Sequence, residues 1–311
     1  YSNYLTRSLF LIPAFAILLF ISPNFGYFGW LVLWLVSQFI YQSAESLIVY
    51  SRRFGVQVII ELLSFSILFL FVWQTNLKAP DDLIFIFSIA TAVKALGVLI
   101  ALFPKPVKAL VSFKELALGL PFFIIGFSGL IQSRVDQYII ALFCEKSVVG
   151  TYQIFLSAFI LIQSFSSIII VPFQKMLFRI NAQTYNRFQL KVSLLGAVLV
   201  VSIGIIVSSI LAFYYQLNID WKFYLVGIFL SYPPFVYVPI IFIYYRLKKE
   251  KEVIWVNYLG AGFNLLMTLV LVYSGNPFGA IIASCIAQWM MLFWYSYRKK
   301  SLINAVEMSH M

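Results

Sequence analysis

Residues 192–213 read VSLLGAVLVVSIGIIVSSILAF, twenty-two positions without one charged side chain. A helix crosses the hydrocarbon core of a bilayer with about 20 apolar residues. Inside that core no water can satisfy backbone amides, so a run of this kind reads as a transmembrane helix. The same signature recurs along the chain. Ten candidate spans lie at about 8–22, 27–49, 56–73, 83–103, 116–143, 148–171, 192–213, 223–245, 253–273 and 277–297. The first is short and contains Pro13. Trp73, Trp221 and Trp255 fall at proposed helix ends, where aromatic belts sit.

Composition agrees. Of 311 residues, 62% are hydrophobic and 11% charged, and the mean hydropathy is +0.95. Soluble domains are nearer 45–50% apolar and about 25% charged. A soluble enzyme, a disordered tail and a nucleic-acid-binding domain are excluded. Cys144 and Cys285 are too few for a disulfide framework or a thiolate metal centre, and the one histidine, His310, cannot make a metal or catalytic site.

The net charge of +11 is a matter of topology. Counting the N-terminus and every second connection as one side, that side carries 17 cations. They are Arg7, Arg52, Arg53, Lys105, Lys108, Lys114, Lys175, Arg179, Arg187, Lys191, Arg246, Lys248, Lys249, Lys251, Arg298, Lys299 and Lys300. The other side carries Lys78, Lys146 and Lys222. Basic loops stay in the cytosol, so both termini are expected there, with no need for a nucleic-acid partner. The connections are short, the longest being 175–191 on the cytoplasmic side. The chain starts at Tyr1 without a signal-peptide pattern, and further residues are expected upstream.

The stretch 103–108, Phe-Pro-Lys-Pro-Val-Lys, stops a helix and holds positive charge. It divides the chain into an N-terminal lobe of four helices, 1–104, a cytoplasmic linker, 105–115, a C-terminal lobe of six helices, 116–300, and a cytoplasmic tail, 301–311. Transporters are often built from two such halves with the substrate path between them.

Two stretches carry a family resemblance. The first combines Gly119-x-Pro121, Asp136 near mid-helix, and Val149-Gly150-x-Tyr152 opening the next helix. The second combines Asn264-Leu265 with Gly275-Asn276-Pro277-Phe278-Gly279-Ala280 and Ala283-Ser284. In order and spacing they resemble polysaccharide flippases of the Wzx type, in the MOP superfamily of multidrug, oligosaccharidyl-lipid and polysaccharide exporters. The resemblance implies an all-α membrane protein of twelve or more helices, the first two lying upstream of this chain. It implies translocation of undecaprenyl-diphosphate-linked oligosaccharide (O-antigen, capsule or exopolysaccharide units) across the bacterial inner membrane by alternating access. The implied partners are that lipid, the surrounding bilayer, a polysaccharide polymerase and a chain-length regulator. No cofactor is expected beyond proton or sodium coupling, and the chain reads as a transporter rather than an enzyme. Two rivals remain: another MOP transporter, such as a lipid II flippase or a cation-coupled drug exporter, and a membrane polymerase or glycosyltransferase. The latter usually needs a large outer loop, which this sequence lacks.

Intramembrane charges are costly and are therefore the candidate site. Lys94 lies about 18 Å and Arg134 about 15 Å from the outer ends of their helices, at 1.5 Å per residue. Both are candidate ligands for a diphosphate, Arg134 through its planar fork. Each could instead have a structural partner, Asp136 for Lys94 among them. Asp136 is a candidate for ion coupling or for an interhelical bond, and it shares a face with Gln132. Gln38, Gln42 and Glu45 form one stripe. Glu45 and Glu61 flank Arg52 and Arg53 and are expected to pair with them. Asn257, Asn264 and Thr268 share a face, as do Gln153, Ser157 and Ser164, and Ser284 and Gln288 make a shorter one. These can line a cavity or join helices. Pro233, Pro234 and Pro239 break the eighth span, as a hinge or as a static bend.

Overall fold

The computed structural model describes residues 25–51, 54–74, 80–102 and 113–308, with a few isolated helical positions between 11 and 19. The expected first helix, Pro13, Arg52, Arg53 and most of the 105–115 linker therefore lie outside the described residues. Everything described is helix and short connection, with no strand among the described residues. The helices are α1 (Phe25–Ser51), α2 (Phe54–Gln74), α3 (Pro80–Leu102), α4 (Phe113–Phe143), α5 (Lys146–Ile170), the single turn α6 (Gln174–Leu177), α7 (Ala182–Ser209), α8 (Trp221–Ser231), α9 (Pro233–Arg246), α10 (Glu250–Tyr273) and α11 (Gly279–Met308). Seven helical segments among the described residues are long and apolar enough to cross a membrane. They lie within α2, α3, α5–α6, α7, α8–α9, α10 and α11. The chain is a membrane protein by this measure.

Two compact units divide the chain, Tyr1–Gly119 and Leu120–Met311. In the first, α3 packs along α1 and α2. Ser88 donates to the Trp30 carbonyl at 2.8 Å and Ser64 to the Ala90 carbonyl at 2.8 Å. Tyr41, Ile60 and Val98 form its buried apolar centre.

The second unit holds α4 from Leu120 onward and all later helices. On α7 the buried row is Tyr185, Gln189, Val192, Gly196, Val200 and Gly204, at helical spacing. The exposed row, Leu190, Leu194, Val198, Val201 and Ile205, is no less apolar. A helix that is hydrophobic all round is either buried or in lipid, and these positions are open. Glycine allows the helices to approach closely. A Cβ on Gly196 would lie 2.4 Å from the Phe235 ring, and one on Gly227 would lie 2.6 Å from the Phe159 ring.

Two boundaries differ from the sequence expectation. The expected cytoplasmic loop 175–191 is largely helix: α7 begins at Ala182, its N-terminus capped by Asn181, whose side chain accepts from the Thr184 amide at 2.9 Å. Tyr185 and Gln189 bury one face of this polar turn, so the helix runs beyond the apolar stretch that marks the bilayer. Likewise α11 continues to Met308, so most of the expected tail is helical.

The proline-broken span is a joint with filled bonds. Pro233 and Pro234 lack the amide protons that would reach the carbonyls of Phe229 and Leu230. The Trp289 indole donates to the first at 3.1 Å, and the Gln163 amide donates to the second at 2.9 Å. Gln189 donates to the Val236 carbonyl at 3.1 Å. Side chains from three neighbouring helices thus bond the backbone around the break.

Candidate functional site

The polar residues of α4 divide between two environments. Asp136 is 1% exposed, in the interior of the second unit. Its Oδ2 accepts from the Tyr152 hydroxyl of α5 at 2.5 Å and from the Ser284 hydroxyl of α11 at 2.8 Å. Its Oδ1 accepts from the backbone amide of Gln137 at 2.9 Å. Ser284 is also bonded to Asn264 of α10, whose Nδ2 lies 3.1 Å from the serine oxygen. Thr268 donates to Asn264 Oδ1 at 3.1 Å, and Asn264 Nδ2 lies 3.4 Å from the Gln132 carbonyl. Four helices therefore meet on one buried polar chain: Asp136, Tyr152, Ser284, Asn264, Thr268. Two turns away on α4 and α10, Asn257 donates to the Ser128 hydroxyl at 3.0 Å.

This chain of bonds has a sequence logic. Asp136 and Tyr152 belong to one quoted stretch, and Asn264 and Ser284 to the other. The two stretches are far apart in sequence and touch in space. Gln132, one turn before Asp136, is 6% exposed on the same face, and Asn257 and Asn264 are 8% and 0% exposed. These residues join helices to one another in this structure.

Arg134 is different. It is half-buried, two positions from Asp136 and so on another face of α4. Its Nη1 donates to Gln137 Oε1 at 3.1 Å. Among the described residues no carboxylate lies within ion-pair distance of it. The Nε2 of Gln137 is buried and has no hydrogen-bond acceptor among the described residues. Arg134 and Gln137 thus present a planar cation and an amide donor side by side, both lacking a strong acceptor.

Lys94 belongs to the first unit and is already neutralised. Its Nζ lies 2.6 Å from Glu61 Oε2. The other carboxylate oxygen of Glu61 accepts from the Tyr41 hydroxyl. The ammonium also sits 5.0 Å from the Phe65 ring centre and 5.6 Å from that of Tyr41. Among the described residues Glu61 thus pairs with Lys94 of its own unit; Arg52 and Arg53, its expected partners, lie outside them. The pairing follows from rotation about the helix axes. Glu61 and Lys94 face each other across the α2–α3 contact, and sequence distance carries no signal of that. Gln38 of α1 is half-buried and Gln42 exposed. Glu45 lies outside the residues whose side chains are described.

Sequence reasoning passed over Gln137, Tyr152 and Tyr41 as site components and did not join Glu61 to Lys94. Gln137 carried a readable signal, since it stands one helical turn from Arg134. Among the described residues no cluster of histidine, cysteine and carboxylate side chains could hold a metal ion. Cys144, in the connection between α4 and α5, has its thiol pKa pushed above the ordinary value by burial. No family model matches this chain, and no curated protein or solved structure matches it.

Proposed function

We propose that this chain is part of a flippase of the MOP superfamily, moving undecaprenyl-diphosphate-linked oligosaccharide from the inner to the outer leaflet of a bacterial inner membrane. The observation that carries the reading is Arg134: a half-buried guanidinium, on a helix the sequence reads as a membrane span, whose only polar partner among the described residues is a neutral amide. A charge in that position is expensive unless an anion meets it during the working cycle. A lipid diphosphate supplies such an anion and keeps its tail in the bilayer.

In this proposal the full protein has two lobes of six helices with both termini cytosolic. The diphosphate enters from the cytosol, meets Arg134 and Gln137, and is released outward as the lobes rock. Asp136, held by two hydroxyls and a backbone amide N–H, takes up a proton or a sodium ion to drive the return. A polymerase and a chain-length regulator act on the product at the outer face. The uncompensated cation favours an anionic lipid over a cationic drug, and the short described connections favour transport over an outer-face enzyme.

The test is the fate of lipid-linked sugar in a strain lacking the gene. Single complete repeat units should accumulate on the cytoplasmic leaflet. They should clear when the wild-type gene is restored and remain trapped when Arg134→Ala is supplied at equal membrane abundance. Single units accumulating on the outer leaflet would assign the chain to polymerisation, and unchanged glycolipids would remove the reading.

A further inference from the structure

Lys94 stands near the middle of α3, 14 residues from Pro80 and eight from Leu102, which is about 21 Å and about 12 Å along the axis. Its ion pair with Glu61 is unlike the sealed network at Asp136. The two side chains keep 21% and 29% of their surface open. The ammonium has aromatic walls, Phe65 and Tyr41, which exclude water on those sides without competing for the charge. The carboxylate is held twice, by the ammonium and by the Tyr41 hydroxyl. In chemical terms this is an anion site that already holds an anion, and that anion is a side chain of the protein itself.

We propose that Tyr41, Glu61 and Lys94 form an anion-exchange site, in which a phosphate oxygen displaces the Glu61 carboxylate from Lys94. The exchange breaks one ammonium–carboxylate contact and makes one ammonium–phosphate contact, with no proton or covalent bond transferred. The displaced Glu61 keeps its bond from Tyr41, so it remains satisfied beside the occupied site. The tethered carboxylate sets affinity. It competes with the ligand at high local concentration and returns to Lys94 when the ligand leaves. A carrier must release its cargo, and a built-in competitor guarantees that. The ligand class is a phosphate or diphosphate, from a lipid headgroup or free in solution. The lipid source rests on the proposed function; the exchange chemistry does not.

The experiment uses the full chain in lipid nanodiscs with two radiolabelled probes, farnesyl diphosphate and inorganic pyrophosphate. Glu61→Gln removes the competitor and should tighten binding about tenfold. Lys94→Gln should weaken it by at least as much. The neutral double variant Glu61→Gln/Lys94→Gln leaves no unpaired charge and should bind as weakly as Lys94→Gln. It reports on the site even if Glu61→Gln alone fails to fold. Glu61→Asp, which keeps the anion, should bind about as wild type does. Tightening for both probes, or for the lipid probe alone, supports the exchange site and the lipid substrate together. Tightening for pyrophosphate alone supports the exchange site and removes the lipid reading. Binding that ignores Lys94 and Glu61 but is lost with Arg134→Ala overturns the exchange site and leaves the proposed function standing. Loss of affinity in Glu61→Gln, or no probe binding to wild type, overturns the exchange site.

Discussion

The Tyr152 hydroxyl donates to the Asp136 carboxylate from the neighbouring helix, 16 residues along the chain. It closes this buried acid against α5. Tyr152→Phe should cost about 1–3 kcal/mol, the usual penalty for leaving a buried acceptor short of a donor. Asp136→Asn should keep the shape while ending ion coupling. Thermal unfolding in detergent checks the first. Transport under an imposed proton or sodium gradient checks the second, and full gradient dependence in Asp136→Asn would remove the coupling role.

Arg134→Lys retains charge but loses the planar pair of donors. Export should fall about tenfold, equivalent to about 1.4 kcal/mol of ligand interaction. Arg134→Ala should abolish export at unchanged membrane abundance. Radiolabelled repeat-unit translocation in inverted vesicles gives both values.

Gln137→Glu places a carboxylate one helical turn from Arg134 and turns an open cation into an internal pair. Binding of a lipid diphosphate should drop about tenfold or more with the fold intact. If affinity is untouched, Arg134 is not the phosphate ligand.

These residues show where the sequence is legible. The apolar runs locate the described spans because the bilayer imposes a length on each of them. The start of α7 was hidden because Tyr185, Asn186, Arg187 and Gln189 look like loop on a hydropathy scale. Only Asn181 as a cap and the spacing of Tyr185, Gln189 and Val192 mark them as helix. Asn257, Asn264 and Thr268 share a helical face that can be read directly. Whether such a face lines water or joins helices depends on the side chains opposite, here Ser128 and Ser284, which no local pattern reveals. The same holds for Glu61. Its nearest cations in sequence are Arg52 and Arg53, whereas the cation it meets in space is on the next helix.

Gly196→Ala should destabilise the second unit by about 1–3 kcal/mol through overpacking. Its Cβ would fall 2.4 Å from Phe235 Cγ. Adding Phe235→Leu should recover part of the loss. Gly150→Ala, where no atom lies within 4 Å of the new Cβ, should be neutral or stabilising by up to about 1 kcal/mol. Unfolding midpoints of the three variants separate steric cost from helix propensity.

Cys144 tests the topology. An impermeant maleimide should label it from the outer face of intact spheroplasts, while Cys285, within α11, stays unlabelled. Burial holds the Cys144 thiol above its ordinary pKa. The reactive thiolate therefore grows with pH, and the labelling rate should climb steadily from pH 7 through pH 9 without a plateau. Labelling only after permeabilisation would invert the assigned orientation.

The bonds of α11 also bear on how the molecule is made. Trp289 fills the carbonyl of Phe229, 60 residues earlier, and Ser284 reaches Asp136, 148 residues earlier. A chain emerging from the ribosome delivers both acceptors to the membrane long before either donor exists. Until α11 is in place, Asp136 has only its bonds from Tyr152 and the Gln137 amide, and the Phe229 carbonyl lacks the donor that Trp289 supplies. A product truncated before Gly279 therefore leaves the Phe229 carbonyl and the Asp136 carboxylate each short of one donor, so α11 is bound into the unit by polar bonds as well as by packing.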